Sequence, residues 1–251
     1  MEYPEFQGKT AIATGAASGI ALLFLQKMAE YGANVVLCDV NQEAAEAEAE
    51  KIRANGGSAI AAKVDVRKYS EIEAAVNLAM EKFGRVDYLL NSAGGNSQRI
   101  FQQSGGFAKA SPESIEWGVD VNLKGAVLFT RAVLPQMMEQ KYGVIINMGS
   151  IDGVTGAAGL DYTASKAGMI GLSQGTANLG ADYGVRSVCV SPGPVLTRPA
   201  MARMKTLLGR AAEVIEVVNL ILYLCSDKAA FITGTNYLID GGRSLAASRF
   251  W

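Results

Sequence analysis

The sequence predicts an α/β domain built as one doubly wound parallel sheet of about seven strands, with helices on both faces. Three observations carry this. Short apolar runs alternate with longer helical patterns along the whole chain. The runs stay apolar along their length instead of alternating with polar residues, as strands covered on both faces do. No linker, repeat or low-complexity stretch breaks the alternation, so residues 1–251 are expected to form a single domain.

The elements follow in order. "KTAIAT" (9–14) is the first strand, and the pattern from Ser18 to Tyr31 is its helix. "NVVLCD" (34–39) is the second strand, and the Ala/Glu-rich helix 41–54 after it turns a charged face to solvent. "SAIAAKVDV" (58–66) is the third strand and 69–83 its helix. "VDYLLNSAG" (86–94) is the fourth, followed by a polar loop and a long apolar helix from about Pro112 to Gln140. "GVIINMGS" (143–150) is the fifth, leading to a helix over 161–182. "VRSVCVSPG" (185–193) is the sixth, with a helix around 211–226, and "TNYLID" (235–240) closes the set.

Composition narrows the function. Hydrophobic residues make up 49% of the chain and charged residues 19%, the balance of a well-buried globule rather than a disordered chain. A formal net charge of −1 without any basic run argues against nucleic acid or an anionic membrane surface as partner. Cys38, Cys189 and Cys225 are each flanked by apolar residues and are too scattered for a metal knuckle. They predict free thiols in a reducing, cytoplasmic setting and no metal site. The first residues, "MEYPEFQGKT", have neither the positive region nor the apolar core of a secretion signal. No apolar run approaches the ~20 residues that span a bilayer. The chain has no histidine, which removes Ser-His-Asp and Cys-His hydrolysis and His-ligated zinc. Proton transfer near neutral pH is left to carboxylates, a tuned lysine, a tuned tyrosine or a cysteine.

"TGAASGIA" (14–21) joins the first strand to the first helix. Gly15 permits the sharp turn, and Gly19, between Ser18 and Ile20, lets backbone N–H groups approach a diphosphate at the helix N-terminus. Ala21 stands where a third glycine is more usual and still allows close helix packing. A glycine turn alone is as readily a plain tight turn. The second strand, however, ends in Asp39, 20 residues past Gly19, the place of a carboxylate that hydrogen-bonds an adenosine ribose. Its charge repels a 2′-phosphate, and Ala16, Ala17, Ser18, Val40 and Asn41 supply no compensating cation. The expected preference is NAD over NADP. A capping role for Asp39 at the following helix is the alternative.

In a doubly wound sheet, ligands collect at the carboxyl ends of the strands. Tyr162 and Lys166 lie just beyond the fifth strand, one helical turn apart on one face, where they can share a cleft with Ser150. A free phenol has a pKa of about 10 and is a poor base at pH 7. A lysine charge about 6 Å away, in an effective dielectric near about 20, favours phenolate by roughly 2.8 kcal/mol, or about two pKa units. Tyr162 can then exchange a proton with an alcohol or ketone near neutral pH while Ser150 holds the substrate oxygen. An inert surface pair is the bland alternative for Tyr162 and Lys166, and a strand-end cap is that for Ser150.

With these residues assembled, the chain resembles the short-chain dehydrogenase/reductase family over nearly its whole length. The matching pieces are Thr14-Gly15-x-x-x-Gly19, Asp39, Asp65-Val66, "NSAG" (91–94), "VNLKG" (121–125), Ser150, Tyr162-x-x-x-Lys166, "SPGPVLT" (191–197) and "FITGTNYLIDGG" (231–242). The resemblance implies a Rossmann-type fold and an oxidoreductase that uses NAD. It implies Tyr162 as acid/base, Ser150 as binder of the substrate oxygen, and Lys166 as holder of the nicotinamide ribose that also lowers the tyrosine pKa. Asn122 would kink its helix and hold a water linking Lys166 to solvent; a purely helix-bending role is its alternative. Asp65, with Val66, would meet the adenine, and Asn91 would support the fourth strand beside the cofactor. Ala93, Gly94, Pro192 and Gly193 would line the cofactor, and Val195 and Thr197 would contact the carboxamide. The chain departs from the family pattern at Ala21, in "NSAG" for Asn-Asn-Ala-Gly, and in a Ser150-to-Tyr162 spacing of 12 where 13 is expected.

Substrate signals are thinner. The loop "GGNSQRIFQQSGGFAKAS" (94–111) is long and polar. Asn96, Gln98, Arg99, Gln102 and Gln103 could bind a polyhydroxylated or anionic substrate, with Asp152 and Asp161 adding polarity, or the loop is only a solvated excursion. Asn96 and Arg99 are the leading substrate contacts. The expected small-molecule substrate is a sugar, polyol or hydroxy acid. A 3-oxoacyl or hydroxysteroid reductase, and a non-catalytic dinucleotide-binding sensor, are the alternatives. The segment 198–210 sits where the family has its lid and is short, and Phe250 and Trp251 form an apolar tail suited to packing on a neighbouring chain. The family implies a homotetramer, with a homodimer as the smaller possibility, built partly through helices 112–140 and 161–182.

Overall fold

The computed structural model describes residues 2–245. Seven parallel strands form one sheet in the order β3-β2-β1-β4-β5-β6-β7. They are β1 (Thr10–Thr14), β2 (Asn34–Asp39), β3 (Ser58–Lys63), β4 (Tyr88–Asn91), β5 (Gly143–Met148), β6 (Val185–Pro192) and β7 (Asn236–Ile239). The helices are α1 (Gly19–Glu30), α2 (Gln42–Ala54), α3 (Tyr69–Phe83), α4 (Ser97–Ile100), α5 (Pro112–Val119), α6 (Gly125–Glu139), α7 (Asp152–Thr155), α8 (Leu160–Gly180) and α9 (Val214–Cys225). The expected doubly wound sheet is present. No helix among the described residues is long and apolar enough to cross a membrane.

The uniformly apolar runs serve two cores. Successive strand residues point to opposite faces. Ala11, Ala13, Val35 and Leu37 join one core with Phe24, Leu25 and Val218, beneath α1, α2 and α9. Ile12, Val36 and Ile145 join the other with Ile72, Phe129 and Val133, beneath α3 and α6. α8 packs on β5 and β6 beside α6.

Tertiary hydrogen bonds shift several element ends. β3 stops at Lys63, and Val64 N then donates to Asp39 O at 2.9 Å. β4 ends at Asn91 because the Thr14 hydroxyl takes the next two amides, Ser92 N at 3.0 Å and Ala93 N at 2.9 Å. The expected helix 112–140 is α5 and α6 joined by a wider π-helical turn over Asp120–Lys124. The short helices α4 and α7 occupy segments expected to be loops. Phe250 and Trp251 lie outside the described residues.

Candidate active site

The strand order reverses between β1 and β4, and a crevice opens where the connections leaving their carboxyl ends diverge. This cleft has a volume of about 880 Å³. The glycine turn builds one end. Gly15 and Gly19 hold φ of +66° and +64°, a region L side chains avoid. A Cβ on Gly15 would stand 3.1 Å from the Ala93 backbone. The first N–H groups of α1 thus face the cleft unshielded, beside the positive end of the helix dipole, an arrangement that favours an anion. Asp39 ties the end of β2 to this turn: Oδ2 accepts from Ala17 N at 3.0 Å and Oδ1 from Asn41 N at 2.9 Å. Asn41, not Asp39, caps α2, accepting from Ala44 N at 3.1 Å. An open glycine cradle followed by a carboxylate at the end of the next strand fits a dinucleotide.

The adenosine end differs from expectation in one respect. Lys63 is the register partner of Asp39 across β2 and β3, and it lines the same cleft with Arg67 and Lys68. Chain neighbours of Asp39 do not reveal these cations; strand register does. Two are already engaged. Arg67 grips Asp65 through Nε to Oδ1 at 2.9 Å and Nη2 to Oδ2 at 2.6 Å, and holds that carboxyl below the usual carboxylate range. Lys68 pairs with Glu71 at 2.9 Å. Val66 lines the cleft close by.

The other end of the cleft lies over β5. Tyr162 and Lys166 both face the cleft from the first turns of α8. Lys166 Nζ donates to Met148 O at 2.8 Å and sits 5.7 Å from the centre of the Tyr162 ring. Ser150 is buried, its hydroxyl bears on the Tyr162 phenol, and it accepts from Asp152 N at 3.1 Å at the entry to α7. The short α7 accommodates the 12-residue spacing. Burial pushes the Tyr162 phenol above its ordinary range; the neighbouring Ser150 hydroxyl pulls it back, Asp152 adds to the rise and Arg198 opposes it. Burial also pushes the Lys166 ammonium down to about 8. The expectation of a phenol simply lowered by its lysine is therefore corrected: desolvation dominates both groups and drives each toward its neutral form.

Asn122 sits in the π-helical turn. Its Nδ2 donates to Gly118 O at 2.8 Å, the carbonyl that a regular α-helix would give to the Asn122 backbone N–H. The same amide joins both polar groups of Gly95, Oδ1 to N and Nδ2 to O, each at 2.9 Å. A Cβ on Gly94 would lie 2.5 Å from Asn122 Oδ1 and 3.4 Å from Lys166 Nζ, so glycine lets the loop, the bent helix and the lysine meet.

Of the other expected residues, Gly15, Ser18, Gly19, Ile20, Ala93, Pro192 and Thr197 line the cleft. Asn91, Gly193, Val195 and Asn96 do not. Asn91 is buried behind β4, donating to Asn147 Oδ1 at 2.8 Å. Gly193 backs onto Asp240, and Val195 is buried in the core and bridged to Ala212. Asn96 caps α4 through Arg99 N at 2.9 Å. In the polar loop, Arg99 faces the cleft, whereas Gln103 is committed to Ser111 and Ser114. Asp161 is buried and turned away, accepting from Ser97 Oγ at 2.5 Å, but Asp152 bears on Tyr162. Ile100, Trp117 and Arg198 also line the cleft. Their only sequence signal is proximity to motifs: Arg198 follows Thr197, and Trp117 lies five residues before Asn122.

The chain is similar to known proteins. Residues 9–207 match the family model for short chain dehydrogenase. The chain is 35% identical to oxidoreductase UcpA of Salmonella typhimurium, over 96% of each chain. It is 37% identical to trans-4-hydroxycyclohexanecarboxylate dehydrogenase of Sinomonas cyclohexanicum, over 94% of this chain and 93% of that one. A crystal structure of a 3-oxoacyl-[acyl-carrier protein] reductase with bound NAD from Brucella melitensis superposes with a TM-score of 0.89 at 28% identity, covering 96% of this chain and 93% of that one.

Proposed function

The chain belongs to the short chain dehydrogenase family, and from that premise we propose that it interconverts a secondary alcohol and a ketone with NAD(H). It is an oxidoreductase of that family. The observation that carries the specific reading is the meeting of Tyr162 and Lys166, with buried Ser150 against the Tyr162 phenol, in a cleft whose other end is a glycine cradle with Asp39 beside it. A nicotinamide dinucleotide bound there supplies the hydride acceptor or donor.

The protein's own residues do the rest. Gly15, Gly19 and Ile20 would receive the diphosphate on backbone N–H groups, and Asp39 would accept from the adenosine ribose. Ser150 donates to the substrate oxygen and fixes it beside the Tyr162 hydroxyl. In the oxidative direction the Tyr162 oxygen takes the alcohol proton as the hydride leaves carbon; in the reductive direction it returns that proton to the carbonyl oxygen. Both charged forms are disfavoured by burial, so each stabilises the other: phenolate is formed most easily while Lys166 is an ammonium. Asn122 holds the loop at Gly95 that shapes this end of the cleft.

The substrate is a sugar, polyol or hydroxy acid in this reading, and relatives named for alicyclic alcohols support an alcohol substrate. The reductase alternative is favoured by the likeness to 3-oxoacyl reductases and uses the same groups. A panel of secondary alcohols, hydroxy acids and 3-oxoacyl thioesters, followed by nicotinamide absorbance, separates the two. Tyr162→Phe must abolish turnover while NADH still binds by fluorescence titration; unchanged turnover would refute the assignment. We expect a homotetramer, with a homodimer as the smaller alternative, because apolar side chains stand exposed on α6, α8 and near β7: Val127, Leu179, Leu238 and Phe231. Light scattering that gives a monomer would overturn this. The buried free thiols Cys38, Cys189 and Cys225 suit a reducing, cytoplasmic setting.

A further inference from the structure

Most arginines in this protein have partners. Arg53, Arg67, Arg85 and Arg210 pair with carboxylates. Arg99 and Arg198 have no side-chain partner among the described residues, yet both line the cleft that holds Tyr162 and Lys166. Arg203, also without one, is exposed outside the cleft.

Topology places the two guanidiniums usefully. Arg99 is on α4, in the connection after β4, and Arg198 follows β6. β4 and β6 are the neighbours of β5, whose end leads to Ser150 and Tyr162. Positive charge therefore lines the cleft from both flanks of β5, and Arg198 lies near enough for its charge to act on Tyr162. Ile100 and Trp117 add an apolar wall next to Arg99. Asp152, the first residue of α7, lies near enough for its charge to act on Tyr162, so it steers a second anion toward the flanks. A guanidinium left unpaired beside apolar surface is best satisfied by a carboxylate, which it can grip with two parallel hydrogen bonds.

Resting on the reading of the protein as an alcohol dehydrogenase, we propose that its substrate is an anion: a cyclic or short-chain secondary alcohol carrying a carboxylate. Arg99 and Arg198 hold the carboxylate, Ile100 and Trp117 hold the carbon skeleton, and the carbinol lies at Tyr162. The acid group fixes which hydroxyl of the substrate is presented.

Matched pairs test this. With saturating NAD⁺, kcat/KM is measured for 4-hydroxycyclohexanecarboxylate against cyclohexanol, and for 3-hydroxybutanoate against 2-butanol. The acid should be preferred by about 10-fold or more in a pair, the scale of one charge-assisted contact. Arg99→Met and Arg198→Met should each shrink that ratio several-fold, Arg→Lys should keep part of it, and the KM for NAD⁺ should stay within about twofold. Calorimetry supplies a readout without turnover: cyclohexanecarboxylate, which has no hydroxyl to oxidise, should bind the NAD⁺-loaded enzyme and lose affinity in the double variant. Equal turnover of acids and neutral alcohols, or no carboxylate binding, overturns the proposal. A raised KM for NAD⁺ in the variants would assign the arginines to the cofactor diphosphate instead, and preferred turnover of a 3-hydroxyacyl coenzyme A thioester would overturn it as well. If no alcohol is oxidised, the dehydrogenase reading fails separately and calorimetry alone decides whether the anion site exists.

Discussion

At the amino ends of β1 and β4, Asp87 is fully buried and surrounded by donors: Arg85 Nε and Nη2, each at 2.7 Å, Thr10 N at 2.9 Å and Lys9 at 3.6 Å. The Tyr88 and Tyr142 hydroxyls close the same end with a mutual hydrogen bond of 2.9 Å. At the carboxyl end, Lys166 is also buried but is given one carbonyl, and Arg99 and Arg198 are given no partner among the described residues. Ionisable groups of the same kinds are therefore saturated at one end and left incomplete at the other. Saturation fixes structure, because removing any partner strands a buried charge. Incompleteness keeps binding and proton-transfer capacity available, at a cost in stability that the rest of the fold must offset.

The sharpest way to break this comparison is to remove the Tyr162 hydroxyl. Tyr162→Phe should reduce turnover by about 10³-fold or more, because the proposed proton transfer to the substrate oxygen runs through its hydroxyl. Its denaturant midpoint should equal or exceed that of the parent protein, since a desolvated polar group has been deleted. A variant that kept its activity would move the chemistry elsewhere. The complementary change is at the saturated end: Asp87→Ala should cost about 3 kcal/mol of stability in urea unfolding, leaving Arg85 and the Thr10 amide without their acceptor. Its kcat per folded molecule should be unchanged. A loss of activity without a loss of stability would contradict the division of labour between the two ends.

A smaller effect is expected at the adenosine end, where the two regimes meet. Asp39→Ala removes the negative charge facing a 2′-phosphate and leaves Lys63, Arg67 and Lys68 along the same wall. The NADP⁺/NAD⁺ ratio of kcat/KM should rise by about 10- to 100-fold. Adding Lys63→Ala should cancel part of that gain. Equal use of both cofactors by the unmodified enzyme would show that the neighbouring cations already outweigh Asp39.

The contrast also explains what could be read from the chain alone. β2, α2 and α3 were legible almost to the residue, because a two-sided apolar run and a helical period are local signals. The ends of β3 and β4 were not, since they are set by Asp39 O and the Thr14 hydroxyl, which reach them only after folding. Tyr162, Lys166 and the glycine turn lie within single motifs and could be found from spacing. Arg198, Trp117 and Lys63 reach the cleft through strand order and register, and no local pattern marks them. The bend at Asp120–Lys124 leaves no mark in the apolar helical pattern, which does not register one widened turn, and only the family resemblance at Asn122 pointed to it.

The least conspicuous consequence of the incomplete end lies in the pH dependence of stability. Burial lowers the pKa of Lys166 to about 8 in the folded protein, against an ordinary value of about 10.4 in the unfolded chain. Between these values the unfolded chain binds more protons than the folded one, so stability rises with pH. The cost of burying the ammonium is fully present below about pH 8 and is relieved as pH climbs toward about 10.4. From pH 7.5 to 9.5 this one group should add roughly 2 kcal/mol to the unfolding free energy, and Lys166→Met should lack that increment. Urea midpoints of both proteins at the two pH values measure the difference. Parallel pH dependence in the two would mean that Lys166 is fully solvated or fully paired, and that the end of the sheet holding the active groups is as saturated as the end holding Asp87.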